Sequence, residues 1–187
     1  MTQVSEHLID DHAALDKVLK QLQTALRGGD LEIAHHKLDL FWARLAVHIR
    51  AEHRHLFPTV LSGLENAVIR DPSAPSLEEA QSVVAQLRQD HDFFMHQLAL
   101  AVEIMRELLT LPQQLIAPEG LNNVNKIVLE VEQRLIKHND MEENQIYRWV
   151  TIALNPEEQA KLATQITTEL RKHPPRFTLS TWLEEDD

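Results

Sequence analysis

Apolar residues recur every three or four positions along almost the whole chain, the spacing that lines one face of an α-helix. Leu8, Leu15, Leu19, Leu22 and Leu26 form one such face and predict helix A over about Ser5–Leu26. Gly28-Gly29-Asp30 closes it, because glycine tolerates the left-handed conformation that ends a helix. Helix B runs from Asp30 into the high 60s on the stripe Leu38, Leu45, Ile49 and Leu56. Pro58, which has no N–H to give, should kink or interrupt it. Asp71-Pro72-Ser73-Ala74-Pro75-Ser76 is the clearest loop, and Ser76 with Glu79 makes the capping-box pattern that opens helix C. Helix C extends to about Leu109 on Val84, Leu87, Phe94, Leu98 and Val102. Pro112 and Pro118-Glu119-Gly120 mark the next loop, and helix D follows from about Leu121 to Ala153. Asn155-Pro156-Glu157-Glu158 reads as a cap, a first-turn proline and first-turn acids, so a fifth helix runs to about Lys172 before Pro174-Pro175.

Four long amphipathic helices joined by short loops predict an all-α, up-and-down four-helix bundle over residues 1–153. The short fifth helix and acidic tail, 154–187, pack on or beside it. Phe177, Leu179, Trp182 and Leu183 read as the tail's contacts with its own bundle. No fixed period of about 30–45 residues supports a solenoid.

Composition narrows the function. Lys and Arg number 18 against 29 Asp and Glu, for a net charge of −11. That excess of anions argues against nucleic-acid partners and against an anionic membrane surface. The absence of cysteine excludes disulfides, thiolate metal sites, iron–sulfur ligation and a cysteine nucleophile. No apolar run approaches the roughly 20 residues of a membrane span, and no signal peptide is visible, so the expected location is the cytoplasm. Histidine is the outlier, at 11 residues, and imidazole is the commonest protein metal ligand.

The histidines carry an internal echo. His48-Ile49-Arg50-Ala51-Glu52, then Leu56-Phe57, matches His138-Asn139-Asp140-Met141-Glu142, then Ile146-Tyr147. An Asp-His pair precedes each: Asp11-His12 ahead of Leu15, and Asp90-His91 ahead of Phe94. Every long helix contributes one histidine, and helices B and D add a glutamate. Residues i and i+4 lie about 40° apart around a helix and about 6 Å apart along it, so an H-x-x-x-E turn aims both side chains into one region. Four inward histidines and two glutamates can then meet at one level, with two metals sharing two bridging carboxylates. A sulfur-free His/carboxylate set suits iron, manganese or zinc, and bridging carboxylates in a bundle favour a di-iron or di-manganese centre.

The faces decide which histidines belong. His12, His91, His138 and Glu142 sit on apolar stripes, where unpaired polar groups would be costly unless they neutralise a metal. On helix B, Glu52 falls about 40° from the stripe centre and His48 about 80°, while His35 and His53 lie about 60° off on the other side. His48 is chosen because it completes the echo. His55, two turns beyond His48, and Gln145, in the same relation to His138, read as polar residues around the centre. Phe94, Met95 and Leu98 should line a dry pocket. His96 should be solvated, and His7, His36 and His173 read as surface residues.

The ordered set His12, His48-x-x-x-Glu52, His91, His138-x-x-x-Glu142 resembles the hemerythrin-like (HHE cation-binding) domains over about His12–Trp149. Ala51-Glu52-His53-Arg54-His55-Leu56-Phe57-Pro58 resembles the family's acid-rich turn followed by Leu-Phe-Pro. Met141-Glu142-Glu143-Asn144 is similar to the corresponding turn on the last helix. The resemblance implies a non-haem di-iron centre of two iron ions completed by an oxo or hydroxo bridge. His12 and His48 would hold one metal, His91 and His138 the other, and Glu52 and Glu142 would bridge. Two positions depart from the oxygen carriers. Met95 stands where they have a second helix C histidine, and Glu142 follows the helix D histidine at four residues where they have an aspartate at five. With two histidines per metal, the chain looks more like the iron–sulfur-cluster-repair di-iron proteins and related bacterial stress domains, without their cysteine-containing N-terminal segment.

The resulting expectation is a di-iron protein that reacts with O2, NO or peroxide in sensing, storage, iron handling or stress protection, and binds rather than turns over. A ferritin-like di-iron oxidase or peroxidase would use Glu-x-x-His on two helices. Glu52-His53-Arg54-His55 fits that spacing, and no second helix supplies a matching pair. A metal-free helical interaction module, with the tail as contact, is the third reading. Nothing in the sequence sets the oligomeric state.

Overall fold

A computed structural model describes residues 2–67, 74–112, 118–178 and 181–182. Among them there is no strand. The elements are α1 (Gln3–Gly28), α2 (Leu31–Ala51), the π-helical turn π1 (Glu52–Leu56), α3 (Phe57–Ala67), α4 (Leu77–Thr110), α5 (Pro118–Met141), the π-helical turn π2 (Glu142–Ile146), α6 (Tyr147–Ala153) and α7 (Pro156–Leu170). The rods α2–π1–α3 and α5–π2–α6 each run without a break, so helices A to D are α1, the first rod, α4 and the second rod.

Local chemistry sets the ends. Thr2, Asp30, Ser76 and Asn155 each accept a backbone N–H from the first turn of the helix they precede. Asn155 and Glu158 complete a reciprocal capping box. Gly29 ends α1 at φ 73°, where any side chain would be strained. Pro118-Glu119-Gly120, expected as loop, instead form the first turn of α5, a place where proline costs no hydrogen bond. Pro58 does not interrupt its helix; the chain absorbs it by widening to π1 just upstream, where the Phe57 N–H bonds the Glu52 carbonyl. The matching turn π2 is followed by Arg148, so a proline is not required for this geometry.

α1 packs on α2 and α5, and α4 packs on α2 and α5, closing a four-membered ring of helices. Near one end α3 and α6 approach closely at Gly63. A Cβ there would lie 2.8 Å from the Ala153 carbonyl oxygen, so only glycine allows the contact. The core divides in two. One apolar cluster includes Leu15, Leu45, Phe94 and Leu135; the other includes Leu8, Leu56, Leu87 and Ile146. Between them each helix crosses one polar level: His12 lies between Leu8 and Leu15, Glu52 between Ile49 and Leu56, His91 between Leu87 and Phe94, and His138 with Glu142 between Leu135 and Ile146.

α7 lies against α1, α2 and π1. Its Glu169 is buried among Arg50, Arg54 (3.9 Å), His55 (3.6 Å) and Lys172 (2.6 Å). Beyond it, Phe177 and Trp182 are buried in the first apolar cluster, and Arg176 holds Asp39 through two hydrogen bonds. His173, expected at the surface, is half-buried with its ring beside Trp182. Leu179, Leu183 and the acidic end lie outside the described residues, as does 71–73 of the expected loop. Among the described residues, no helix is long and apolar enough to cross a membrane.

Candidate metal centre

The polar level is a cluster of six buried side chains. His48 and Glu52 come from the end of α2 and the first residue of π1; His138 and Glu142 repeat this at α5 and π2. His12 and His91 project from α1 and α4. Two groups of four could each hold a metal ion: His12, His48, Glu52, Glu142, and His91, His138, Glu52, Glu142. Both glutamates belong to both groups and are 0 % exposed.

The imidazole orientations follow from their outer partners. A carboxylate only accepts, so each Nδ1 facing one must carry the proton. His48 Nδ1–H donates to Asp11 (2.8 Å), His138 Nδ1–H to Asp90 (3.3 Å) and His12 Nδ1–H to Glu143 (3.1 Å). Asp11 is held by Arg44 (3.4 Å), and Asp90 by Arg134 (2.7 Å) and Gln86 (3.1 Å). The Nε2 atoms of His12, His48 and His138 are thereby turned inward, and that of His91, whose Nδ1 meets His53, turns inward beside them. His12 Nε2 and His48 Nε2 face each other at 3.2 Å, and His91 Nε2 and His138 Nε2 at 3.0 Å. The glutamate oxygens lie 3.2–3.4 Å from these nitrogens. Two donors bound at right angles to one ion, with bonds of about 2.0–2.2 Å, sit about 3 Å apart.

A test of fit comes from the glutamates. Both carboxylate oxygens of Glu52, and Oε1 of Glu142, are buried and accept no hydrogen bond. An uncompensated buried carboxylate is expensive. The imidazoles beside these oxygens make no hydrogen bond to them, and the nitrogens and oxygens of each group lie within 4.8 Å of one another. The donor set and its arrangement fit two divalent or trivalent cations.

Without a cation, protons are the balancing charge. Burial pulls the His48 imidazole down, but the charge of Glu52 and the hydrogen bond to Asp11 hold its pKa well above the usual value. Burial likewise opposes, and carboxylate neighbours outweigh it, at His12 and His138, both raised. Burial would lift Glu142, yet the charges of His138 and His12 beside it hold it well below the ordinary range. Glu52 is lowered too, with burial and Glu142 opposing and His48 and His91 prevailing.

Other expected residues fall differently. Phe94 packs its ring edge-on to His138 (5.3 Å), and Leu98 and half-buried Met95 continue the apolar wall beside it. His55 does not join the cluster: it faces Glu169. Gln145 is half-buried and makes no hydrogen bond to the cluster among the described residues. His96, His7 and His36 are exposed. The Glu52-x-x-His55 spacing therefore points its two ends to different places, which removes its use as a ferritin-like ligand pair.

Sequence reasoning missed several neighbours. Asp11 and Asp90 were visible as Asp-His pairs but unread as acceptors. Arg44 and Arg134 extend the echo to R-x-x-x-H-x-x-x-E in both rods. His53, expected about 60° off the stripe, reaches His91 Nδ1 with its Nε2 at 2.8 Å. The i→i+5 bonding of π1 turns fewer degrees per residue, which swings His53 back towards the centre. Tyr147 also arrives here, its hydroxyl 3.3 Å from His12 Nε2.

A ring of helices closed around a buried His/Glu level defines a helical cation-binding bundle. The model of the hemerythrin HHE cation-binding domain family matches residues 3–150, which include all six cluster residues, and the chain belongs to that family. No curated protein and no solved structure matches the chain.

Proposed function

We propose that the protein is a four-histidine, two-glutamate di-iron protein of the bacterial hemerythrin-like type, which reacts with O2, NO or peroxide in sensing, storage or stress protection. The observation that carries this is the pair of inward-facing imidazole couples, His12/His48 and His91/His138, around two buried glutamates, of which both Glu52 oxygens and Glu142 Oε1 accept no hydrogen bond. His12 and His48 would hold one iron, His91 and His138 the other, and Glu52 and Glu142 would bridge. Manganese or zinc would fit the same donors; iron is favoured because only a redox metal gives the reactivity proposed. Two bound irons would supply electrons and an open coordination position to a small oxidant.

The chain's own residues do the rest. Asp11, Asp90 and Glu143 fix the imidazole tautomers and raise their basicity, so the ligands are oriented before the metal arrives. Phe57 and Phe94 press on the imidazoles and limit water. Arg44 and Arg134 balance the outer aspartates.

The test is to load the chain with ferrous iron without air, then admit O2, NO or peroxide separately and follow the optical spectrum. A stoichiometric change, reversed on removing O2 or NO, or completed once by peroxide, is expected. An iron-loaded chain inert to all three would overturn the proposal.

A further inference from the structure

One aromatic position is common to the two halves of the cluster and differs between them by one atom. Phe57 and Tyr147 each stand five residues after a cluster glutamate, at the first position after a π-helical turn. Each ring lies nearly flat against the histidine from the neighbouring helix. Phe57 covers His91 at a centroid distance of 6.0 Å and 13°, and Tyr147 covers His12 at 6.0 Å and 27°. What distinguishes them is the phenol oxygen.

That oxygen is 3.3 Å from His12 Nε2 and 3.5 Å from Glu142 Oε2. The cluster's own nitrogens and oxygens are separated by 3.2–3.4 Å, so the phenol oxygen sits in the array as another donor would. Tyr147 is 3 % exposed, so water offers its hydroxyl little alternative. Among the described residues its hydrogen-bond partners are those two atoms alone. A cation held by His12 and Glu142 takes up the imidazole lone pair and competes for the carboxylate oxygen. The buried hydroxyl would then lose what satisfies it, unless it turns to the same cation.

Resting on the dinuclear reading above, we infer that Tyr147 is a fifth protein ligand at the His12/His48 position, and that Phe57 leaves the His91/His138 position one protein ligand short, open to the exogenous molecule. On ligation the O–H bond is exchanged for an oxygen–metal bond and the proton leaves to solvent; no electron moves.

The chain contains one tyrosine, which makes the test unambiguous. The whole chain is loaded with two equivalents of ferrous iron, oxidised with ferricyanide and desalted; iron per chain, the visible spectrum and the resonance Raman spectrum are then recorded. Two irons with a visible phenolate-to-iron charge-transfer band and tyrosinate Raman modes are expected, and Tyr147→Phe should keep the iron and lose both signals. Phe57→Tyr should add a second phenolate contribution. Two irons with no phenolate signal in the wild-type chain would overturn the tyrosine assignment and leave the dinuclear reading standing. A chain that holds no iron would overturn both.

Discussion

The His12/His48 and His91/His138 halves of the cluster share one plan and differ at its margin. In each, an Asp-His pair on one helix meets an R-x-x-x-H-x-x-x-E turn on the next, and the aspartate of the first braces the histidine of the second or its equivalent. The residue after the glutamate then differs. Glu143 accepts from His12, whereas His53 meets His91. Five residues after the glutamate, Tyr147 faces Phe57 across the pseudo-symmetry. One half is thus anionic and hydroxylated, the other aromatic and imidazole-rich. Burial, with charges on His91 and Arg88, holds His53 below the usual histidine range, which suits a neutral acceptor. Burial and the charges of Glu142 and Glu52 hold the metal-free Tyr147 phenol well above its usual value. On the dinuclear reading proposed above, the common plan would provide two metal positions and the margin would make them chemically unequal, with the more electron-rich position at His12/His48.

The largest change should come from a residue both halves share. Glu142→Ala removes a ligand from each position and leaves the four imidazoles with Glu52 alone to bridge them, so iron per chain should fall sharply, while His96→Ala leaves it unchanged. Metal analysis of the purified variants decides this. Equal iron in both variants would mean the halves are not joined through Glu142.

The outer aspartates separate the halves. Loss of a carboxylate that braces a ligating histidine typically weakens a metal about 10–100-fold. Asp11→Asn should do so at the His12/His48 position and Asp90→Asn at the other, so each variant should show one normal and one weakened step in a metal titration. If either variant weakened both steps equally, the halves would be coupled too tightly to be called separate positions.

These aspartates also show how much of the molecule was legible in its sequence. The helices were, because Leu15, Leu45 and Leu98 fall at helical spacing on their stripes and each is buried where that spacing puts it. Four of the six cluster residues sat on clean apolar stripes, and the echo added His48 and Glu52 where the stripe was poor. His53 was misjudged because an α-helical step of about 100° was carried through residues 52–56, which are π-helical. Local spacing cannot announce a π-turn whose cause is tertiary, as π2 shows by forming without proline. His55 turned to Glu169 because α7 covers that face, a long-range contact that no helical wheel contains.

Titration gives the next effect. In the metal-free chain His48, His12 and His138 have raised pKa values. They contribute stability that is fully present below the unfolded value of about 6.5 and is lost as pH rises through the folded values. Glu142 and Glu52 are lowered, so their contribution is present above about 4.3 and is lost as pH falls through the folded values. Chelated protein should therefore melt at higher temperature as pH falls from alkaline values towards about 6. Loaded protein should do the reverse, because protons compete with metal for the same nitrogens. Melts with and without chelator across this range should converge as pH falls. At alkaline pH, with free metal a hundredfold above Kd, the gap should be at least about 5 °C. Identical melts at all pH values would mean that nothing in the cluster binds metal.

The smallest effect should lie outside both halves. Glu169 is held at a pKa of about 2, with burial opposing and the bonds from Lys172 and Arg50 prevailing, and it ties α7 to the π1 side of the first rod. Glu169→Gln should cost about 1–3 kcal/mol of stability by denaturant melt. Iron per chain should stay unchanged, because the carboxylate braces the rod from outside the cluster. Loss of iron in this variant would mean that α7 helps to position Glu52.

The central claim is that the cluster holds two metal ions in linked but unequal positions. Anaerobic titration of the metal-free chain with ferrous iron, followed by calorimetry at neutral pH, tests it most directly. The account predicts saturation at two equivalents per chain in two resolvable steps, the tighter one abolished by His48→Ala. Saturation at one equivalent, or no binding, would contradict it.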